Sequence, residues 1–201
     1  MGVAIRRAGQ DDRAAVTDLL DRVFRDDAVS GWVFPDPTDR QNKHGVMMGV
    51  FLDTALAEGY VDMAVDGSAA ALWFSVPAGG HPADDAGPAE LRRVVDPANE
   101  RVEAIGRILD AAHPKERAHE HLMLIAVDST ARSQGRGTEL ITSVLSRCDR
   151  EGLAAYLEAS STRSRALYAR LGFVWSGDTI DLPEGPSMYP MWRDPMPVGR
   201  A

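Results

Sequence analysis

"LMLIAVDSTARSQGRGTELITSVLSRC", residues 122–148, decides how the rest of the chain is read. It opens on an apolar run of the kind that forms a buried strand, and it closes on a helix from 135 to 151. That helix places Leu140, Ile141, Val144, Leu145 and Cys148 on one face. Between them lies "RSQGRG", 132–137, with two glycines, two arginines and no apolar side chain. One reading is a sharp turn. The other is a site for a phosphate-bearing ligand. The first amides of a helix have no intrahelical partner, the helix dipole makes that end positive, and a diphosphate fits there without special side chains. Gly135 and Gly137 let backbone approach closely, Arg132 and Arg136 add charge, and Thr138 offers a hydroxyl. A Walker-type loop is excluded because no Gly-Lys-Ser/Thr closes the turn.

Working outward, "VAIRR" (3–7) reads as a strand and 11–25 as a helix with Val16, Leu19, Leu20, Val23 and Phe24 at helical spacing. "DDAVSGWVFPDPTD" (26–39) reads as a loop, 39–58 as a second helix, and "YVDMAV"/"DGS"/"AAALWFSV" as a hairpin. Residues 77–88 are a Pro/Gly-rich loop holding His81, and 89–111 a helix interrupted near Pro97. "HLMLIAVD" is the buried strand, "AAYLEAS" the next, and 163–171 a helix; "FVWSGDTIDL" and "SMYPMW" are the last two strands. The order β-α-α-β-β-α-β-α-β-α-β-β predicts one α/β or α+β layer sandwich. A dinucleotide-binding fold places its glycine turn after the first strand; here the turn follows the fourth.

The 201 residues suit one domain, and 44% hydrophobic with 26% charged residues is ordinary for a globular chain. A net charge of −8 argues against a nucleic-acid partner. The single cysteine excludes an internal disulfide and points to a reducing, cytoplasmic setting. "MGVAIRRAGQDDRAAV" has no apolar signal core and does not fit the myristoylation pattern, and no run approaches the ~20 apolar residues of a membrane span, so no membrane partner is expected.

Arg132-Ser133-Gln134-Gly135-Arg136-Gly137 matches Arg/Gln-x-x-Gly-x-Gly/Ala, the acyl-coenzyme A pyrophosphate loop of GNAT-type N-acetyltransferases. "SRALYARLGF" resembles the second signature of that family, with Ser164 where asparagine is frequent; Ser133 likewise replaces a common glycine. "YLEASSTRSRALYARLGF", "LPEGPSMYPMWRDP", "HPKE" (113–116) and "AVDGSAAALW" look like the puromycin N-acetyltransferase branch. The resemblance implies a single GNAT domain over 1–201: a mixed, mostly antiparallel sheet with a V-shaped splay between strands 4 and 5, flanked by helices. It also implies acetyl-coenzyme A, direct transfer of the acyl group to the primary amine of a small, aminonucleoside- or antibiotic-like molecule, and a monomer or homodimer.

By the same resemblance, Arg132 to Thr138 and Ser164 contact the cofactor, Ile125 and Val127 offer main-chain groups to its pantetheine arm, and Tyr168 reaches the sulfur. A phenol of ordinary pKa ~10 is protonated at neutral pH and can donate to a leaving thiolate; the other reading of Tyr168 is packing between helix and sheet. Glu158, a carboxylate in an apolar strand, is costly without solvent, a partner or a substrate. It is read as the proton acceptor, as an anchor for a substrate ammonium, or as a solvated group at the sheet mouth.

"HEH" (119–121) puts His119 and His121 on one strand face. A zinc site needs further ligands at recognisable spacing and none is evident, so no metal is expected. His119 and Glu120 read as the wet start of the strand, Glu120 and His121 as minor relay candidates, and Cys148 as a buried thiol. Asp26, Asp27, Trp32, Phe34 and Asp36 lie in the loop where GNAT acceptors bind. Asp26, Asp27 and Trp32, with Tyr189, are the expected acceptor contacts, and Trp73 or Trp192 further walls; Phe34 alternatively packs the loop. Two other functions fit the same motifs: a degenerate domain that senses acyl-coenzyme A, or a transferase with a longer or carrier-bound acyl donor.

Overall fold

A computed structural model of the protein describes residues 3–80 and 87–197; His81 of the Pro/Gly-rich loop lies outside them. β1 (Ile5–Arg7) leads through a 3-10 turn into α1 (Arg13–Phe24), α2 (Ala28–Val33) and α3 (Pro37–Glu58). The hairpin β2 (Tyr60–Ala64) and β3 (Ala69–Val76) follows, then α4 (Gly87–Val95) and α5 (Glu100–Ala112). β4 (His119–Val127), α6 (Arg136–Glu151), β5 (Ala154–Ala159) and α7 (Thr162–Arg170) come next. β6 (Val174–Trp175), β7 (Ile180–Asp181) and β8 (Ser187–Arg193) close the chain.

The eight strands form a sheet in the order β1-β2-β3-β4-β5-β8-β6, with β7 added against β8. β4 and β5 run parallel and the remaining pairs antiparallel. One core lies on the face covered by α1 to α5 and includes Leu20, Phe34, Met47, Met48, Leu52, Leu72 and Ile105. The other lies under α6 and α7 and includes Trp73, Leu140, Ile141, Leu157, Tyr168 and Met191. Period-2 alternation delivers successive residues of β3 to opposite cores: Leu72 joins the first and Trp73 the second.

Two irregularities of β4 create the site. Opposite β3 the register slips between Leu72 and Trp73, which face Leu124 and Leu122, so Met123 is the extra residue of a bulge. Leu122 and Leu124 therefore go to different cores although they are two apart. Opposite β5 the ladder runs from His119↔Ala154 to Leu122↔Leu157 and stops. Beyond it β4 pairs with β3 alone, and the strands part in the expected V.

The structure departs from the sequence expectation in three places. The 26–39 loop contains α2, started by Asp27, whose carboxylate accepts from the Val29 amide at 2.9 Å. The strand expected over "FVWSGDTIDL" is two short ones, β6 and β7, with Gly177 between them at φ 99°. The helix over 89–111 is interrupted around Pro97 as expected, with Asn99 capping its second half. The start of β4 is dry: His119 is 1% and Glu120 2% exposed. Glu120 is tolerated because Tyr60 (2.5 Å), Ser75 (2.8 Å) and Arg147 (3.2 Å) all donate to it.

Candidate active site

The turn that opens the sequence reading folds as a helix entry. Ser133 has φ 63° and Gly135 φ 82°, a left-handed conformation that glycine adopts without strain. Gly135 is the N-cap of α6, and no side chain among the described residues caps this helix. α3, α5 and α7 are each capped, by Asp36, Asn99 and Ser161. The first amides of α6 are thus left for an external anion. A Cβ on Gly137 would stand 3.4 Å from Val127 Cγ2 and 3.7 Å from Ile125 Cδ1, so the helix entry lies directly against the free half of β4. Arg132, Ser133 and Gln134 are exposed, as is Thr138. Gln134 Nε2 donates to the Thr130 carbonyl at 2.8 Å. Arg136 pairs with Asp66 at 3.1 Å, and its buried Nε has no partner among the described residues. Open amides and an orphaned guanidinium N–H are the features a nucleotide diphosphate would satisfy.

Behind the V lies a cavity of about 700 Å³, within the ~300–1,000 Å³ usual for small-ligand sites. Its wall draws on both cores: Met47, Phe74, Leu124 and Ile105 from one, Ile125, Leu157 and Tyr168 from the other. The space therefore passes through the sheet where β4 and β5 separate. Glu158, His121, His113, Asp27, Ser160 and Ser164 are the polar groups around this passage.

Glu158 follows Leu157, the last residue of the β4–β5 ladder, and its side chain is 7% exposed. One oxygen, Oε2, lies 2.9 Å from His121 Nε2; the other, Oε1, lies 3.8 Å from His113 Nδ1 and has no hydrogen-bond partner among the described residues. Burial pushes this carboxyl up, but the charge and hydrogen bonds of His121 and His113 outweigh it and hold it at about 2, so Glu158 is ionised at neutral pH. His113 Nε2 lies 3.0 Å from His119 Nε2, and His119 Nδ1 lies 2.8 Å from the Arg117 carbonyl. Burial pushes His119 down, which favours its neutral form.

The donor atoms of His113, His121 and Glu158 all lie within 4.8 Å of one another, which would also suit a metal ion. Two ligands of a tetrahedral zinc sit about 3.3 Å apart at normal bond lengths. The 2.9 Å His121–Glu158 contact is instead a direct hydrogen bond.

Tyr168 reaches the cavity from α7. Its ring meets Phe173 edge-on at 6.1 Å, and burial pushes the phenol up to about 12, so it remains a proton donor at neutral pH. Ser164 lines the cavity too, while its side chain closes a capping box with Ser161 at the start of α7.

Of the four expected acceptor contacts, Asp27 lines the cavity and accepts from Ser160 Oγ at 3.0 Å, which ties α2 to the end of β5. Asp26 is exposed, and Trp32 is buried with its indole donating to the Pro183 carbonyl at 2.8 Å. Tyr189 packs on Trp175 at 5.8 Å, with the Arg165 guanidinium 4.7 Å from its ring. Trp73 and Phe34 are fully buried in the two cores. Asp36 caps α3 and Cys148 is a buried thiol pushed up to about 11 by burial, hence unreactive.

Residues 96–192, which span β4, the α6 entry, β5 and α7, match the family described as "Acetyltransferase (GNAT) domain". Over those residues the chain is similar to GNAT acetyltransferase domains. The GNAT fold extends beyond that match. A structure from Corynebacterium glutamicum, described as histone acetyltransferase HPA2 and related acetyltransferase, superposes with a TM-score of 0.74 at 28% identity, over 99% of this chain and 100% of that one. Arylalkylamine N-acetyltransferase 2 of Aedes aegypti superposes at 0.65 over 96% and 99% of the two chains; at 15% identity it shares the fold alone. An uncharacterized N-acetyltransferase of Schizosaccharomyces pombe is 38% identical over 63 residues, 30% of this chain and 26% of that protein. That match spans about a quarter of the fission-yeast protein's length. Among the described residues, no helix is long and apolar enough to cross a membrane.

Proposed function

We propose that the protein, acting as a single GNAT domain, is an N-acetyltransferase that moves an acyl group from coenzyme A to the primary amine of a small molecule by direct transfer. The observation that carries this reading is the passage through the sheet at the end of the β4–β5 ladder. The open α6 entry lies on one side of it, and Glu158, His121 and Tyr168 border it. The family supplies the donor: acetyl-coenzyme A would bring the thioester.

The residues divide the work. The amides after Gly135, with Arg132, Ser133, Gln134, Arg136, Gly137 and Thr138, would hold the diphosphate. Ile125 and Val127 would offer their main chain to the pantetheine arm, because no strand pairs with β4 beyond Leu122 on that side. An N–H near Ile125 would face the developing oxyanion. Ser164 would act indirectly, by setting the start of α7 and so the place of Tyr168.

The attacking amine must lose a proton before transfer. Glu158, already ionised, is the anchor for an ammonium rather than the terminal base. In its neutral form, with Nε2–H donating to Glu158, His121 would keep a lone pair on Nδ1 and would be the acceptor. The arrangement is a carboxylate orienting an imidazole. His113, itself on the cavity wall, and His119 behind it continue the chain of close ring nitrogens. Tyr168 then protonates the departing thiolate.

The likeness of "YLEASSTRSRALYARLGF" and "LPEGPSMYPMW" to the puromycin N-acetyltransferase branch supports an aminonucleoside- or antibiotic-like acceptor. The test is a thiol-release assay with acetyl-coenzyme A against an amine panel that includes puromycin. Release with one class of amine is expected, and no release with any member would refute the transferase reading.

A further inference from the structure

The cavity behind the V is far more apolar than a site for a polyamine or an aminosugar would need to be. Away from the passage its wall is built by Met47, Met48 and Phe51 of α3, Leu91 of α4, and Ile105 and Leu109 of α5. The charges on the wall are distributed unevenly. On α5 and just beyond it, Arg107 pairs with Glu103 at 2.7 Å and Asp110 with Lys115 at 3.6 Å. At the passage, Asp27 and Glu158 line the space with no Lys or Arg partner among the described residues. Glu158 Oε1, on a side chain only 7% exposed, has no hydrogen-bond donor there. A buried carboxylate oxygen without a donor is costly, and a bound ammonium would supply one.

From this pairing we infer the acceptor's chemical class, an inference that rests on the transferase reading and narrows it. The acceptor is a primary amine joined to an extended apolar body, aliphatic or aryl-aliphatic. The ammonium lies against Glu158 Oε1 and the body runs between α3, α4 and α5. The donor-less Oε1 of Glu158 decides between this occupant and a long acyl chain on the donor. An acyl chain in the same space would leave Glu158 Oε1 facing hydrocarbon, whereas an amine supplies its missing donor and its tail fills the rest. The methionines on the wall suit tails of differing shape, since thioether side chains repack readily.

The test uses the full chain and n-alkylamines from ethylamine to decylamine. Binding to the cofactor-free protein is measured by calorimetry, and acetyl transfer by thiol release. Each added methylene should raise affinity and kcat/KM about fourfold until the cavity is full, equivalent to about 0.8 kcal/mol per buried CH₂. Alkyl alcohols of equal length should bind more weakly. Lengthening the acyl donor from acetyl to decanoyl, with the amine fixed, should bring no such gain. Leu109→Glu should flatten the amine series; Leu109→Trp, which keeps the wall apolar and shortens the space, should lower the chain length at which it levels off. Affinity independent of amine length, or a gain that follows donor length instead, overturns the inference. In that case acetyl transfer to short polar amines would leave the transferase reading intact. Length-dependent amine binding without acetyl transfer would uphold the inference and refute the transferase reading.

Discussion

Replacing Tyr168 with phenylalanine removes one oxygen and tests the proposed chemistry apart from the packing. The phenol lines the cavity on a residue only 8% exposed, and no described residue hydrogen-bonds to it. Deleting a buried hydroxyl that makes no protein hydrogen bond changes stability little, within about 1 kcal/mol. The edge contact with Phe173 survives, since both rings remain. If the hydroxyl protonates the leaving sulfur, turnover should fall about 10²- to 10³-fold, the lower part of the range for a positioned acid. That is about 3–4 kcal/mol of barrier. Affinity for coenzyme A, set by the α6 entry, should move less than about threefold, an interaction retained in the ground state. Because burial lifts the phenol to about 12, Tyr168 stays protonated through pH 10. Any basic limb of the wild-type rate below that pH belongs to another group and should persist in the variant. Thiol release under saturating acetyl-coenzyme A, calorimetric titration with coenzyme A and a urea melt give the three readouts. Unchanged turnover would reduce Tyr168 to a wall of the cavity; a lost fold would contradict the packing described.

Glu158→Gln should raise the KM for the amine and, by misorienting His121, lower kcat by up to about 10⁴-fold, with coenzyme A affinity nearly unchanged; steady-state kinetics with both near wild type would remove Glu158 from the mechanism. Gly135→Glu places a carboxylate at the α6 entry on a residue with φ 82°, with no protein atom within 4 Å of the new Cβ. The fold should survive by circular dichroism at a local cost of about 1–2 kcal/mol, and calorimetry should find coenzyme A binding abolished; retained binding would move the diphosphate elsewhere. Burial pushes both His44 and His119 down. The unfolded chain, with histidines near their ordinary ~6.5, then binds more protons below that value. Stability should therefore be fully present above about pH 6.5 and be lost as pH falls from there, so the urea midpoint should be lower at pH 5.5 than at 7.5. An equal or higher midpoint at 5.5 contradicts this.

Much of the architecture could be read locally. The apolar run of β4, the glycine turn and the face of α6 are short-range patterns, and so is the hairpin around Gly67. The V between β4 and β5 came from the family resemblance, because no residue type marks where a parallel ladder stops. The bulge was illegible for a related reason: Met123 is neither glycine nor polar, and the slip shows only against β3. Asp27 was picked out as an acid near the acceptor; its role as the cap of α2 was hidden by the prolines that make 26–39 look like a loop. His113 had no local signal at all. It joins Glu158 because α5 ends beside the sheet, and a histidine before a proline at a helix end is unremarkable in sequence. Glu120 was misjudged as solvated because its compensating groups, Tyr60 and Arg147, are 60 and 27 residues away.

The extra residue at position 123 works as a phase shift. Were it deleted, Leu122 and Leu124 would become consecutive residues and would still face Trp73 and Leu72, so Leu124 to Val127 would keep their sides. What the deletion would remove is the bend and the added twist that a bulge gives its strand. Substitutions at 123 should leave that bend in place, whereas a one-residue deletion should straighten β4.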